Sequence, residues 1–121
     1  MSFKIETIAE FEKELKRLSK KYSSIKEDYE NLLYSLIENP LQGTPLGKDC
    51  YKIRMAISSK QQGKSSEAKV ITCVKIVKEK IYLLAIYDKS DIENISESEL
   101  KTRLKQIWFS FVNVIQKEYF W

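Results

Sequence analysis

Apolar side chains change their spacing between residues 49 and 50, and that change constrains the fold more than any other feature. Upstream, "IAEFEKELKRLSKKY" places Ile8, Phe11, Leu15, Leu18 and Tyr22 three and four residues apart, and "SSIKEDYENLLYSLIENP" repeats the pattern through Ile25, Tyr29, Leu32, Leu33, Leu36 and Ile37. That spacing gathers apolar groups on one face of a helix. Downstream, "CYKIRMAI" alternates, with Tyr51, Ile53, Met55 and Ile57 on one parity and Lys52 and Arg54 on the other. Successive side chains of a strand point to opposite faces, so this segment reads as a strand with one apolar and one cationic face. Helices come first and strands follow, which is the order of an α+β chain.

The remaining elements follow from the same rules. "FKIET" at 3–7 alternates and reads as a short first strand. Thr7 with Glu10, and Ser24 with Glu27, have the spacing of capping boxes at the two helix starts. The short link at Tyr22–Ser24 predicts a helical hairpin, and Asn39-Pro40 stops the second helix. "PLQGTPLGKD", residues 40–49, holds both prolines and two of the three glycines and reads as a loop. Residues 50–57, 68–77 and 80–87 read as three strands of an antiparallel meander, with "KEK" at 78–80 as a tight connection and 58–67 as a longer polar loop. "IYLLAI" is apolar on both parities, which predicts a central strand covered on both sides. "SESELKTRLKQIWFSFVNVIQKEYFW" reads as a C-terminal helix opened by a Ser96/Glu99 capping box, with Leu100, Leu104, Ile107, Phe111, Val114 and Ile115 as its apolar stripe. Helices packed on one face of such a sheet leave the other face partly free.

Composition narrows the function classes. Of 121 residues, 43% are hydrophobic, enough for a compact core and too many for a disordered chain, so residues 1–121 read as a single domain. The chain has no His, and its two cysteines, Cys50 and Cys73, are not in a CxxC spacing, which argues against a structural zinc site. No metal or other cofactor is expected, and both cysteines are expected to be reduced and buried. Acid–base chemistry would have to use Lys, Asp, Glu, Tyr or Cys. The N-terminus has no uncharged core of signal-peptide length, and no apolar run approaches ~20 residues, so a cytoplasmic protein without a membrane segment is expected.

The formal charge of +4 is unevenly placed. Residues 41–90 carry ten Lys or Arg against four Asp or Glu, while the flanking segments are each slightly acidic. A local basic field attracts polyanions. Lys52 and Arg54 begin a cluster on the first meander strand, Lys69 starts the second, and Lys89 follows the third just after Tyr87. Like charges at neighbouring positions on one face repel unless an anionic partner neutralises them. Arg binds phosphate through a bidentate fork and Lys as a point charge, so this face has the residues to handle phosphate. Lys48 before the strand, and Lys60 and Lys64 in the polar loop, are candidates for contacts to a nucleic-acid backbone.

The "NPLQGTPLGKDCYKIRMA" junction, the "GKSSEAKVI" turn and strand, and "IYLLAIYDKSDIENISESEL" together resemble the RelE/ParE toxin superfamily. The similarity spans residues 10–105 and is greatest to the HigB-like and RelE-like messenger-RNA interferases of type II toxin–antitoxin pairs. The resemblance implies a RelE-like fold, with an N-terminal helical hairpin and a C-terminal helix on a small twisted antiparallel sheet. It implies entry into the ribosomal A site and cleavage of the messenger there by attack of a 2′-hydroxyl on the adjacent phosphate, without metal. It also implies an acidic antitoxin as partner, beside ribosome and messenger. Lys52, Arg54, Lys69 and Lys89 are the catalytic set implied, with Tyr87 or a basic loop residue as the substitute for the family's stacking Tyr, and Lys48, Lys60 and Lys64 would hold RNA. Lys69 stands where the family usually has Arg, Ser90 where the RelE branch has Arg, and the C-terminal Tyr of that branch has no clear counterpart. Two other readings remain open: a ParE-like gyrase inhibitor, which "YKIRM" argues against, and a non-catalytic RelE-fold binding module. The terminal "EYFW" would either pack beneath the sheet or meet an antitoxin.

Overall fold

The computed structural model describes residues 3–59, 67–92 and 94–107. In chain order the elements are β1 (Lys4–Thr7), α1 (Ala9–Lys21), α2 (Ile25–Glu38), β2 (Thr44–Gly47), β3 (Cys50–Ala56), β4 (Glu67–Lys75) and β5 (Lys80–Asp88). A third helix, α3, runs through 97–107. The expected continuation of its apolar stripe (Phe111, Val114, Ile115) and the "EYFW" end lie outside the described residues. No helix among the described residues is long and apolar enough to cross a membrane.

The five strands form one sheet in the order β1-β5-β4-β3-β2. β3, β4 and β5 make the expected antiparallel meander, while β1 pairs with β5 in parallel, from Lys4 beside Lys80 to Thr7 beside Leu83. β5 is therefore an inner strand, and every residue from Ile81 to Asp88 is buried. This is why its sequence is apolar on both parities. α1 packs along β5 and α2 meets β3, so Phe11, Leu18, Ile25, Leu32 and Leu36 join the sheet residues in one core cluster.

Residues 40–49 are a correction to the sequence reading. The segment expected to be loop contains β2, which pairs antiparallel with β3 from Thr44 opposite Lys52. All four residues of β2 are exposed. With neither face buried, there is no alternation to read, and an edge position tolerates Pro45 because its missing N–H faces no partner. Lys48 and Asp49 turn the chain into β3 with φ of 55° and 66°, the left-handed pair that suits a two-residue hairpin. The β4–β5 connection also begins earlier than expected: β4 ends at Lys75, and Glu79 N–H donates to the Ile76 carbonyl.

The helix starts differ too. Thr7 belongs to β1 and its hydroxyl donates to Glu12, while Ile8 is the residue before α1. Ser24 does precede α2, but its hydroxyl donates to Asp28 Oδ2 at 2.8 Å and accepts Ser59 N–H at 2.8 Å. Asp28 also accepts the backbone N–H and the hydroxyl of Ser58, which ties the start of α2 to the exit of β3. At α3 the expected cap is present: Ser96 Oγ accepts Glu99 N–H at 3.1 Å.

Cys50 and Cys73 lie opposite each other on β3 and β4, buried and unbridged. Both thiols donate to the Lys48 carbonyl. The neighbouring Cys73 thiol together with burial pushes Cys50 above the usual thiol range, while the Cys50 thiol pulls Cys73 down. A thiol kept protonated is a poor nucleophile.

Candidate functional site

The cationic row is built by register. Arg54 on β3 stands opposite Lys69 on β4, and Lys69 stands opposite Tyr87 on β5. Lys52, two residues before Arg54, shares their face. The row depends on a bulge. Ile71 opposes Ala85, but Thr72 opposes Leu83, so Leu84 is an extra residue in β5. If the Thr72–Leu83 register ran on with Leu84 paired in the ladder, Ile86 would stand opposite Lys69. Bulges re-aim side chains in this way. Beside this bulge Thr72 Oγ1 is fully buried and has no hydrogen-bond partner.

β1 stops at Thr7, so among the described residues no strand lies beside the outer edge of β5 beyond Leu83. Two side chains take the place of one. Glu14 of α1 accepts the Ile86 N–H at 3.3 Å, and Arg103 of α3 donates to the Leu84 carbonyl at 2.8 Å. The two are joined to each other by paired bonds of 2.8 and 2.9 Å. Glu10 and Gln106 make a second contact between the same helices. Buried backbone groups must be satisfied, and this ion pair does so while holding α3 against the sheet.

α3 and the residues before it change the expected picture of an open face. Ile95 N–H donates to the Tyr87 hydroxyl at 3.4 Å. The Nζ atoms of Lys52 and Lys69 both donate to Asn94 Oδ1, each at 3.3 Å. Tyr87 is only 2% exposed and Lys69 7%. Lys52, Ile71, Tyr87, Asn94, Ile95 and Leu100 line a cleft of about 310 Å³. Burial pushes the Tyr87 phenol above its ordinary value of 10, against the lowering effect of the Ile95 N–H. At neutral pH it is therefore a proton donor, with its lone pair already accepting from Ile95.

Arg54 is placed differently. Its side chain is 75% exposed and meets Glu67 at 3.7 Å. An exposed pair of this length contributes at most about 1 kcal/mol, so the guanidinium can exchange Glu67 for another anion. The two adjacent cations of β3 thus have separate partners, Asn94 for Lys52 and Glu67 for Arg54.

The other expected residues are more scattered. Lys89 is half-buried two residues past Tyr87, where Asp88 turns the chain by accepting Ser90 N–H on Oδ1 and Asp91 N–H on its carbonyl. Among the described residues no hydrogen bond joins Lys89 to Lys52, Arg54 or Lys69. Lys48 is exposed in the β2–β3 turn, before β3, whereas Lys60 and Lys64 come after β3 and lie outside the described residues. Sequence reasoning missed Asn94, Glu14 and Arg103. Asn94 sits in a polar run with no periodicity, and Glu14 and Arg103 are 89 positions apart.

A larger groove of about 510 Å³ lies between α1 and α2, lined by Leu15, Ile25 and Tyr29 among lysines. The smaller cleft is the one that adjoins the cationic row of β3 and β4.

The architecture defines a RelE-like fold, an α+β sheet with a cationic face. The chain is similar to a double mutant of E. coli toxin RelE in the free state, with TM-score 0.57 and 20% identity over 88% of this chain and 99% of that one. It is also similar to a chain of the intact E. coli RelBE toxin–antitoxin complex, with TM-score 0.54 and 21% identity over 73% of this chain and 96% of that one. No family model matches the chain, and no curated protein sequence does.

Proposed function

We propose that this protein is the toxin of a toxin–antitoxin pair, a metal-independent endoribonuclease that cuts messenger RNA in the ribosomal A site. It would act in the cytoplasm and be neutralised by an acidic antitoxin. The observation that carries the reading is the cationic row: the Lys52 and Lys69 ammonium groups converge on one oxygen, with Arg54 beside Lys69 on the same face. The shared fold with a chain taken from a toxin–antitoxin complex supports the partner class.

In this reading the 2′-oxygen forms a bond to the adjacent phosphorus and the bond from phosphorus to the 5′-oxygen breaks. The products are a cyclic phosphate and a 5′-hydroxyl. Charge grows on the non-bridging oxygens at the five-coordinate stage, and preorganised cations lower that barrier. Arg54, exposed and fork-shaped, holds the phosphate, and Lys52 and Lys69 stabilise its added charge. Tyr87, kept protonated by burial, serves as hydrogen-bond donor or acid toward the leaving oxygen. The base that takes the 2′ proton would be one amine among Lys52, Lys69 and Lys89, with the remaining lysines acting as ammonium donors to the phosphate. Lys48, Lys60 and Lys64 would contact RNA backbone.

A second reading, a RelE-fold binding module without catalysis, is favoured by one observation: Lys69 and Tyr87 are buried beneath Asn94 and Ile95. Toe-printing of a messenger on programmed ribosomes separates the two. Cuts within the A-site codon that disappear in a Lys52→Ala/Arg54→Ala variant support the enzyme. An uncut messenger moves the assignment to the binding module.

A further inference from the structure

We propose that Asn94 Oδ1 holds the place of a phosphate oxygen between Lys52 and Lys69, so that phosphate binding displaces Asn94 and releases it from the cleft. The inference rests on reading this cleft as the phosphate site of an RNA substrate. Two ammonium groups donate to the same amide oxygen, so their nitrogens lie within twice 3.3 Å of each other. An oxygen that satisfies both must sit between them, which is where a non-bridging phosphate oxygen would bind. Both bonds are long. Ammonium bonds to ionised oxygen run about 2.7–2.9 Å, and 3.3 Å is past the usual range for any N–H to oxygen bond. A neutral amide is therefore a weak occupant of a site that suits an anion.

The surroundings permit exchange. Asn94 is exposed, so its side chain can swing into solvent without opening a cavity. The next residue is held through its backbone, by the Ile95 N–H on the Tyr87 hydroxyl. Helix α3 is separately fixed by its Ser96 cap and by Arg103. Displacement of Asn94 thus needs only a rotamer change at one residue and no movement of α3. In this arrangement Asn94 keeps the two lysines aimed at a common point while the cleft is empty, and it makes phosphate compete for that point.

The test uses inorganic phosphate as the probe, followed by nuclear magnetic resonance of the Asn94 side-chain amide and the Ile95 backbone amide. In the parent, both signals are expected to move together as phosphate saturates, and Lys52→Ala should abolish the change. Removing the competitor in Asn94→Ala should tighten phosphate binding about 5-fold. Asn94→Asp places a carboxylate on the same two lysines and should weaken it about 10-fold or more. The proposal is overturned if the Asn94 signal stays still at high phosphate, or if both variants bind phosphate as the parent does. Ribosome cleavage is scored separately. Phosphate that displaces Asn94 in a protein that cuts no messenger overturns the enzyme reading and leaves this one standing. Messenger cutting with unchanged phosphate affinity in both variants does the reverse.

Discussion

Lys52 and Arg54 stand two residues apart on one face of β3, and their different partners set how each responds to substitution. Lys52 is drawn toward the cleft by Asn94, and Arg54 leans outward to Glu67. Under the enzyme reading, Lys52→Ala and Arg54→Ala should each lower the single-turnover cleavage rate about 100-fold, the scale for losing one preorganised charge donor. Lys75 is engaged by Asp49 at 3.1 Å near the other end of β4, so Lys75→Ala should stay within about 3-fold of the parent. Equal losses at Lys75 and Arg54 would mean that the wrong end of this face has been assigned. Residue-scale burial also sets a pH response. Tyr29 is pushed up to about 12 by burial, with Glu12 adding to the effect. Its unfolded counterpart ionises near 10, so the folded state holds this proton more tightly. That contribution is fully present below about pH 10 and is lost between about 10 and 12. Urea midpoints measured at pH 9 and pH 11.5 should show the loss, and Tyr29→Phe should reduce it. Tyr82 and Tyr87, also raised by burial, keep the variant from becoming wholly flat.

Among the elements, β5 shows most clearly what a sequence can and cannot disclose. Its place inside the sheet was legible, because "IYLLAI" has no polar parity. Its register was not: with both faces apolar, an extra residue at Leu84 leaves no mark on the pattern, and with that residue present only the bulge keeps Tyr87 in the row with Arg54 and Lys69. The hairpin α1–α2 and the start of α3 were legible from amphipathic spacing and a Ser96/Glu99 box. β2 was hidden because an exposed edge strand needs no alternation. Adjacency of the meander strands placed Lys69 near Lys52 and Arg54, but its bond to Asn94 is a connection that no local rule supplies. The clamp of Glu14 and Arg103 on the open edge of β5 gives a prediction at this scale. Arg103→Ala leaves Glu14 without its buried partner and the Leu84 carbonyl without its donor. It should destabilise the fold by about 3–5 kcal/mol in urea unfolding. Glu14→Ala should in addition speed hydrogen exchange at the Ile86 amide, which loses its acceptor.

For the whole molecule, the chain is 20% identical to E. coli RelE over the matched length and still similar to it in fold. A fold requires apolar volume in the right places more than particular side chains. Charge is the other molecular property with a measurable consequence. If the Lys52, Arg54 and Lys69 cluster neutralises one phosphate of single-stranded RNA and Lys48, Lys60 and Lys64 one each, the affinity should fall with a salt exponent near −0.7 for each. Raising salt from 50 to 200 mM should then weaken RNA binding roughly 50-fold, measured by fluorescence anisotropy. A flat salt response would remove the electrostatic basis of the nucleic-acid reading. The bulge at Leu84 carries a further consequence for any survey of this strand. β5 keeps two phases against β4, one up to Leu83 and another from Ala85 onward. A substitution scan that counts in twos from Ile81 would pass through Leu83, Ala85 and Tyr87 as if they faced one way throughout. In fact the count slips at the bulge, so equivalent parity means opposite sides on its two flanks. Deleting Leu84 would bring the strand back into phase with Tyr87 still opposite Lys69, so the deletion tests the bulge itself while every amino acid that lines the cleft is still present in the chain.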